Sequence, residues 1–170
     1  MPHHAYLALG SNLGDRQAHL TKAREAINAL PDTSVQQRSS IYETPAWGTN
    51  EPQPNYLNAV IRVATGLSPL VLWHHTSAIE QAQGRSRDRQ KNSARTLDID
   101  LLLYDDIVLS TTDLVLPHPR MHLRKFVLQP LLEIAPDIQI HGLGPAADFL
   151  AKIADDDALK VSHNSLWTLL

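Results

Sequence analysis

The order of periodic segments in this chain predicts an α+β fold, a ferredoxin-like βαββαβ sandwich with an antiparallel sheet and a C-terminal helical extension. Three observations predict it. Segments of strand and helix period follow one another as strand, helix, strand, strand, helix, strand, with helical segments behind them. The length, 170 residues, suits a single domain spanning 1–170. The composition, 43% hydrophobic and 19% charged, suits a soluble chain that buries its own core.

Each element has its own warrant. His3 to Leu9 alternates and reads as a strand closed by Gly10-Ser11-Asn12. Asp15 to Leu30 reads as a helix: Leu20, Ala23, Ile27 and Leu30 share a face, and Asp15 suits the positive N-terminal end. Ser34 to Tyr42 alternates poorly but reads as one further strand. Tyr56 to Thr65 alternates well, with Leu57, Ala59, Ile61 and Val63 on one face and Tyr56, Asn58, Val60 and Arg62 on the other. Ser68-Pro69 is a helix start, and Gly84 is a stop for that helix. Leu97 to Tyr104 is the next strand, with Leu97, Ile99, Leu101 and Leu103 expected in a core. Leu123 to Ile134 reads as helical despite Pro130, and Ala146 to Ile153 as a short helix. Gly142-Leu143-Gly144-Pro145-Ala146-Ala147 fits a dinucleotide-binding pattern but leaves too little chain for a βαβαβ unit, so it reads as a turn. Two irregular loops, Thr44–Pro54 and Gly84–Arg95, are long enough to serve as ligand-closing segments.

Composition excludes several functions. There is no cysteine, hence no disulfide, thiol catalysis or cysteine zinc site. The formal net charge of −3 disfavours a general nucleic-acid binder. No segment has the length of apolar sequence needed to cross a bilayer, and the start of the chain has no basic signal region, so the expected location is cytoplasmic. The −3 is unevenly spread. Arg85, Arg87, Arg89, Lys91 and Arg95 against Asp88 make the Gly84–Arg95 loop +4, leaving −7 for the rest.

That cationic loop runs directly into Arg95-Thr96-Leu97-Asp98-Ile99-Asp100-Leu101-Leu102. Strand alternation puts Asp98 and Asp100 on one face, roughly 7 Å apart at Cα. Two like charges on a half-buried strand need cations to stay ionised. Hard oxygen donors without His or Cys suit Mg²⁺ that arrives with substrate phosphates, and nearby arginines suit phosphate oxygens. The same residues also fit two solvated acids beside a solvated charge run, or a loop that contacts nucleic acid.

The segment Arg95 to Leu102 resembles the signature of the 6-hydroxymethyl-7,8-dihydropterin pyrophosphokinase family of folate synthesis. So do Ala8-Leu9-Gly10-Ser11-Asn12-Leu13-Gly14-Asp15, Tyr42-Glu43-Thr44-Pro45 with Trp47-Gly48, and Asn55-Tyr56-Leu57-Asn58. Pro117-His118-Pro119-Arg120-Met121-His122, Phe126-Val127-Leu128 and Pro130-Leu131 through Glu133-Ile134-Ala135-Pro136 complete a set of blocks spanning 8–136. The resemblance implies pyrophosphoryl transfer from ATP to the pterin hydroxymethyl group, releasing AMP. It implies two Mg²⁺ ions on Asp98 and Asp100, with Arg87 and Arg95 joining them as catalytic residues. It assigns ATP to Glu80, Arg85, Arg87, Arg95, His118 and Arg124. It assigns the pterin to Thr44, Pro45, Trp47, Tyr56, Asn58 and Phe126, the ring stacking between Tyr56 and Phe126. It further implies a monomer acting on small molecules, with no nucleic-acid or membrane partner.

The residues depart from the family pattern at Asn92-Ser93-Ala94, where Trp-Gly-Pro is usual, at Ala46 and at Leu123, where an acid is frequent. These bear on loop closure and affinity rather than reaction type. The alternatives are a poorly active paralogue that binds ATP or pterin, and a nucleic-acid module of the same fold.

Overall fold

The computed structural model describes residues 2–45, 54–84, 96–153, 159–161 and 167. The expectations for Trp47, Arg85, Arg87, Arg95, Ala46 and Asn92-Ser93-Ala94 lie outside these residues, as do most of the two long loops.

The order runs β1 (His3–Ser11), α1 (Arg16–Asn28), β2 (Thr33–Arg38), β3 (Ile41–Thr44), β4 (Tyr56–Thr65), α2 (Pro69–Ala82) and β5 (Asp98–Tyr104). Two hairpin strands follow, β6 (Leu109–Ser110) and β7 (Val115–Leu116), then a 3₁₀ turn over Met121–Leu123 and α3 (Lys125–Ile134). The chain closes with the hairpin β8 (Gln139–Ile140) and β9 (Gly144–Pro145), α4 (Ala146–Lys152) and β10 (Leu159–Val161). The main sheet is antiparallel, ordered β10-β3-β4-β1-β5, with β2 also paired to β4. Taking β2 and β3 together, this is the strand order of the expected ferredoxin-like sandwich.

Sequence chemistry sets the helix ends. The Asp15 carboxylate accepts the Ala18 N–H at 3.2 Å, and the Ser68 hydroxyl accepts the Val71 N–H at 3.3 Å with Pro69 in the first turn. Leu20, Ala23 and Ile27 of α1 and Leu72 of α2 pack on one face of the sheet against Leu7, Leu9, Ala59, Ile61 and Leu101. The opposite face is covered by Val127, Leu128 and Leu131 of α3 and Ala146 of α4, over Val60, Leu102 and Leu103. Central strands buried on both faces carry long apolar runs rather than clean alternation.

Two expectations need correction. Ser34–Tyr42 is two strands, not one. At the break Ser39 donates its N–H to the Val60 carbonyl (2.8 Å) and its hydroxyl accepts the Val60 N–H (2.9 Å), so a side chain replaces part of the ladder. Leu103 lies with Leu102 under α3, not with Leu97, Ile99 and Leu101. The β1–β5 register shifts between Tyr6 and Leu7, so Leu102 is an extra residue and the alternation reverses beyond it. The C-terminal extension carries the expected helices α3 and α4, with two short hairpins and the edge strand β10 beside them. The turn expected at Gly142–Gly144 is present, and both glycines hold positive φ (82° and 106°).

Candidate active site

The site is built by register. Antiparallel partners share a face, and β1 lies between β4 and β5. One row across the sheet reads Tyr42, Asn58, Gly10, Asp98; the next reads Val60, Ala8, Asp100. Asp98 and Asp100 therefore share the α3 face with Asn58, and Asp98 lies about 10 Å from it across Gly10 at ordinary strand spacing. The expectation that Tyr56 and Asn58 share a nearly bare face holds only at its open end, because Val60 is fully buried under α3.

The charged residues of the site converge from three segments. Arg124, just before α3, holds its Nη1 3.9 Å from Asp100 Oδ2, too far for a hydrogen bond. Both side chains are partly exposed, so this is a loose ion pair and not a closed one. The same guanidinium lies over the Phe126 ring, 5.6 Å from its centroid. His118 is brought in by its N–H, which donates to the Leu102 carbonyl at 2.9 Å, at the irregular residue of β5. Its Nδ1 accepts the Arg120 N–H at 3.1 Å. Burial holds the His118 imidazole below its ordinary pKa; Asp100 works the other way, and Arg124 and Arg120 reinforce the lowering. Glu80 comes from α2, which packs with α1 on the other face of the sheet. Its buried carboxylate accepts the Ile99 N–H at 2.7 Å, which fastens α2 to β5 between the two aspartates.

The residues that the resemblance assigns to the pterin are neutral, and among the described ones Asn58 and Thr44 are buried. The Asn58 amide donates to Thr44 Oγ1 at 2.8 Å. Tyr56 pairs with Thr44 in register and, like Pro45 and Phe126, is half-buried.

Several supporting contacts escape sequence reasoning. Glu133 on α3 accepts the Ser40 N–H (2.9 Å), the Ser40 hydroxyl (2.8 Å) and the Tyr42 hydroxyl (2.6 Å), fixing β3 to the helix that carries Phe126. Burial and the Glu133 carboxylate push the Tyr42 hydroxyl far above its ordinary pKa, so it remains the donor. Arg16 donates to Glu43 Oε2 (2.9 Å) and to the Asn55 carbonyl (2.8 Å), and Asn12 donates to the Pro54 carbonyl (3.2 Å). These tie the two stems of the loop after Thr44 to the start of α1. Gly10-Ser11-Asn12 is a visible signal for such a turn, and Glu133 lies in a block that carries the family resemblance, but nothing local marks Arg16 or shows that Glu133 reaches β3.

The model of the 7,8-dihydro-6-hydroxymethylpterin-pyrophosphokinase (HPPK) family matches residues 6–136. The chain belongs to this family. The 2-amino-4-hydroxy-6-hydroxymethyldihydropteridine pyrophosphokinase of Haemophilus influenzae is 39% identical over 158 residues, covering 93% of this chain and 98% of that protein. The enzyme of the same name from Methylorubrum extorquens is 46% identical over 138 residues, covering 81% and 86%. Among solved structures, an HPPK-DHPS in complex with substrates superposes with a TM-score of 0.69 at 14% identity, over 89% of this chain. The HPPK-DHPS of Plasmodium falciparum gives 0.66 at 15% identity, also over 89%. Those chains are longer, and this one spans 44% and 45% of them; at that identity they show the fold alone. The HPPK family, the ferredoxin-like fold and the pyrophosphokinase class expected from the sequence are all borne out.

Proposed function

We propose that this HPPK chain, as one domain, transfers a pyrophosphoryl group from ATP to the hydroxymethyl oxygen of 6-hydroxymethyl-7,8-dihydropterin, giving AMP and the pterin diphosphate. The observation that carries the assignment of residues is the row Asn58–Gly10–Asp98. It sets a neutral recognition end and a carboxylate end side by side on one face. Asn58, Thr44, Pro45, Trp47, Tyr56 and Phe126 hold the pterin. Asn58 and backbone groups read its polar edge, and Tyr56 and Phe126 take its faces.

Asp98 and Asp100 fit Mg²⁺, and the reading includes two ions. They are hard donors on one face, and among the described residues the ion-pair partner of Asp100, Arg124, stays 3.9 Å away. Among the described residues no three His, Asp or Glu side chains converge on a metal position. That suits an ion whose remaining ligands are phosphate oxygens and water. Bound there, Mg²⁺ neutralises phosphate charge and supplies Lewis acidity. Arg124 and His118 border the same carboxylates and position ATP phosphates, with Arg85, Arg87 and Arg95 completing the cationic side. Glu80 contributes by holding β5, through Ile99, so that both aspartates keep one orientation. Phosphoryl-type transfer needs this positioning and charge neutralisation more than covalent chemistry.

The reading also includes a monomer, a cytoplasmic location and no nucleic-acid partner, in keeping with the acidic net charge. No helix among the described residues is long and apolar enough to cross a membrane. The deciding experiment mixes the protein with ATP, Mg²⁺ and 6-hydroxymethyl-7,8-dihydropterin. The expected products are AMP and the pterin diphosphate. ADP as the nucleotide product would overturn the mechanism.

A further inference from the structure

Gly10 sits at the centre of the row that joins the two halves of the site, and its backbone does not explain it. It lies mid-register in a regular antiparallel ladder, paired with Asn58 on one side and Asp98 on the other. Its φ is not in the left-handed region, unlike Gly14, Gly84, Gly142 and Gly144. Strand geometry of this kind accepts alanine, and a glycine inside a strand costs stability relative to alanine. The reason for glycine must therefore be space. A Cβ built on Gly10 would stand 3.2 Å from Asn58 Oδ1 and 3.6 Å from Tyr56 Cδ1. The first distance is too short for comfort, and Asn58 cannot yield freely because its amide is already committed to Thr44 Oγ1 at 2.8 Å.

We propose that Gly10 is a positioning residue for pterin recognition: its missing side chain lets the Asn58 amide and the Tyr56 ring lie close over β1. This sets the height of the stacking face and the direction of the polar edge. Tyr56 and Asn58 follow one another on β4 at the same face, and Thr44 is the register partner of Tyr56. A small outward displacement at Gly10 is thus passed to the whole neutral end. The carboxylate end is approached from the other side of β1. The side chain at position 10 meets no atom of Asp98 among its nearest contacts. The inference rests on the assignment of the pterin to Asn58 and Tyr56.

The test compares Gly10→Ala with the parent protein in three measurements: thermal midpoint, affinity for a non-hydrolysable ATP analogue with Mg²⁺, and affinity for 6-hydroxymethyl-7,8-dihydropterin. The expected result is an unchanged or raised midpoint, unchanged nucleotide affinity and a roughly three- to tenfold loss of pterin affinity, about one hydrogen bond's worth. In an Asn58→Ala background the same substitution should cost much less, since the displaced group is gone. Unchanged pterin affinity overturns the proposal. So does an equal loss for both ligands, an equal loss in the Asn58→Ala background, or a Gly10→Ala protein that does not fold. The underlying reading has its own control. If Tyr56→Ala and Asn58→Ala both leave pterin binding intact, the assignment of the site fails and the proposal falls with it. If they weaken binding and Gly10→Ala does not, only the proposal falls.

Discussion

The two ends of the site are made differently. The end proposed for the pterin is neutral and assembled from strand pairing: buried Asn58 is hydrogen-bonded to buried Thr44, and half-buried Tyr56 faces the same way two residues earlier. The end proposed for the phosphates is charged and half-open. Asp98 and Asp100 are partly exposed, and Arg124 stays 3.9 Å from Asp100. A heteroaromatic ring is recognised by shape and directed hydrogen bonds, which need groups fixed in advance. A polyphosphate brings its own charge and metal, so the residues that meet it can remain apart until it arrives. The difference teaches which half of the site depends on the sheet register and which half depends on ligand charge.

The largest effect should come from the carboxylates. Asp98→Asn and Asp100→Asn keep shape but remove charge, and each should lower turnover on the order of a hundred- to a thousandfold, with little change in thermal midpoint. Full turnover in both variants would break the division between the ends. A smaller but sharper contrast pairs Tyr56→Ala with Arg124→Ala in steady-state kinetics. Tyr56→Ala should raise the KM for pterin roughly tenfold or more, as loss of a stacking partner does, and leave the KM for ATP alone. Arg124→Ala should do the reverse by roughly tenfold. Added salt should weaken only the nucleotide. Crossed effects of equal size would show that the two ends act as one unit.

The smallest effect belongs to a carboxylate just beyond the far end of β5. Asp105 accepts the His4 N–H at 2.8 Å and pairs with His3 Nδ1 at 2.6 Å. Burial works to raise its pKa, but these contacts outweigh it and hold the group below its ordinary value of 3.8. Its contribution to stability is therefore present above that ordinary value and is lost as pH falls through the lowered folded one. Asp105→Asn should lower the thermal midpoint slightly at neutral pH. The gap should close toward pH 3 and below, and both KM values should be unchanged. A persistent gap at acid pH would show that the effect is not electrostatic.

Much of this was legible in the chain because it depends on local period. The bounds of β4, Tyr56–Thr65, and the shared face of Asp98 and Asp100 follow from alternation alone. The break at Ser39–Ser40 was not legible, because it is held by Val60 and by Glu133, 93 residues away from Ser40. Simple alternation puts Leu103 on the opposite face, because one irregular residue against β1 reverses every side chain beyond it. Trp167 gave no local sign of its role: it is fully buried, stacked beneath the Arg24 guanidinium and bonded to the Ser39 carbonyl at 2.9 Å.

By itself, the sequence determined which side chains travel together: Tyr56 with Asn58, Asp98 with Asp100, and the arginines with the loop before them. Only the tertiary structure decided that those two pairs meet. Side-chain period is a property of one strand, whereas register is chosen by the burial of whole faces against α1, α2 and α3. That choice set β1 between β4 and β5, and put Gly10 where the two pairs come together.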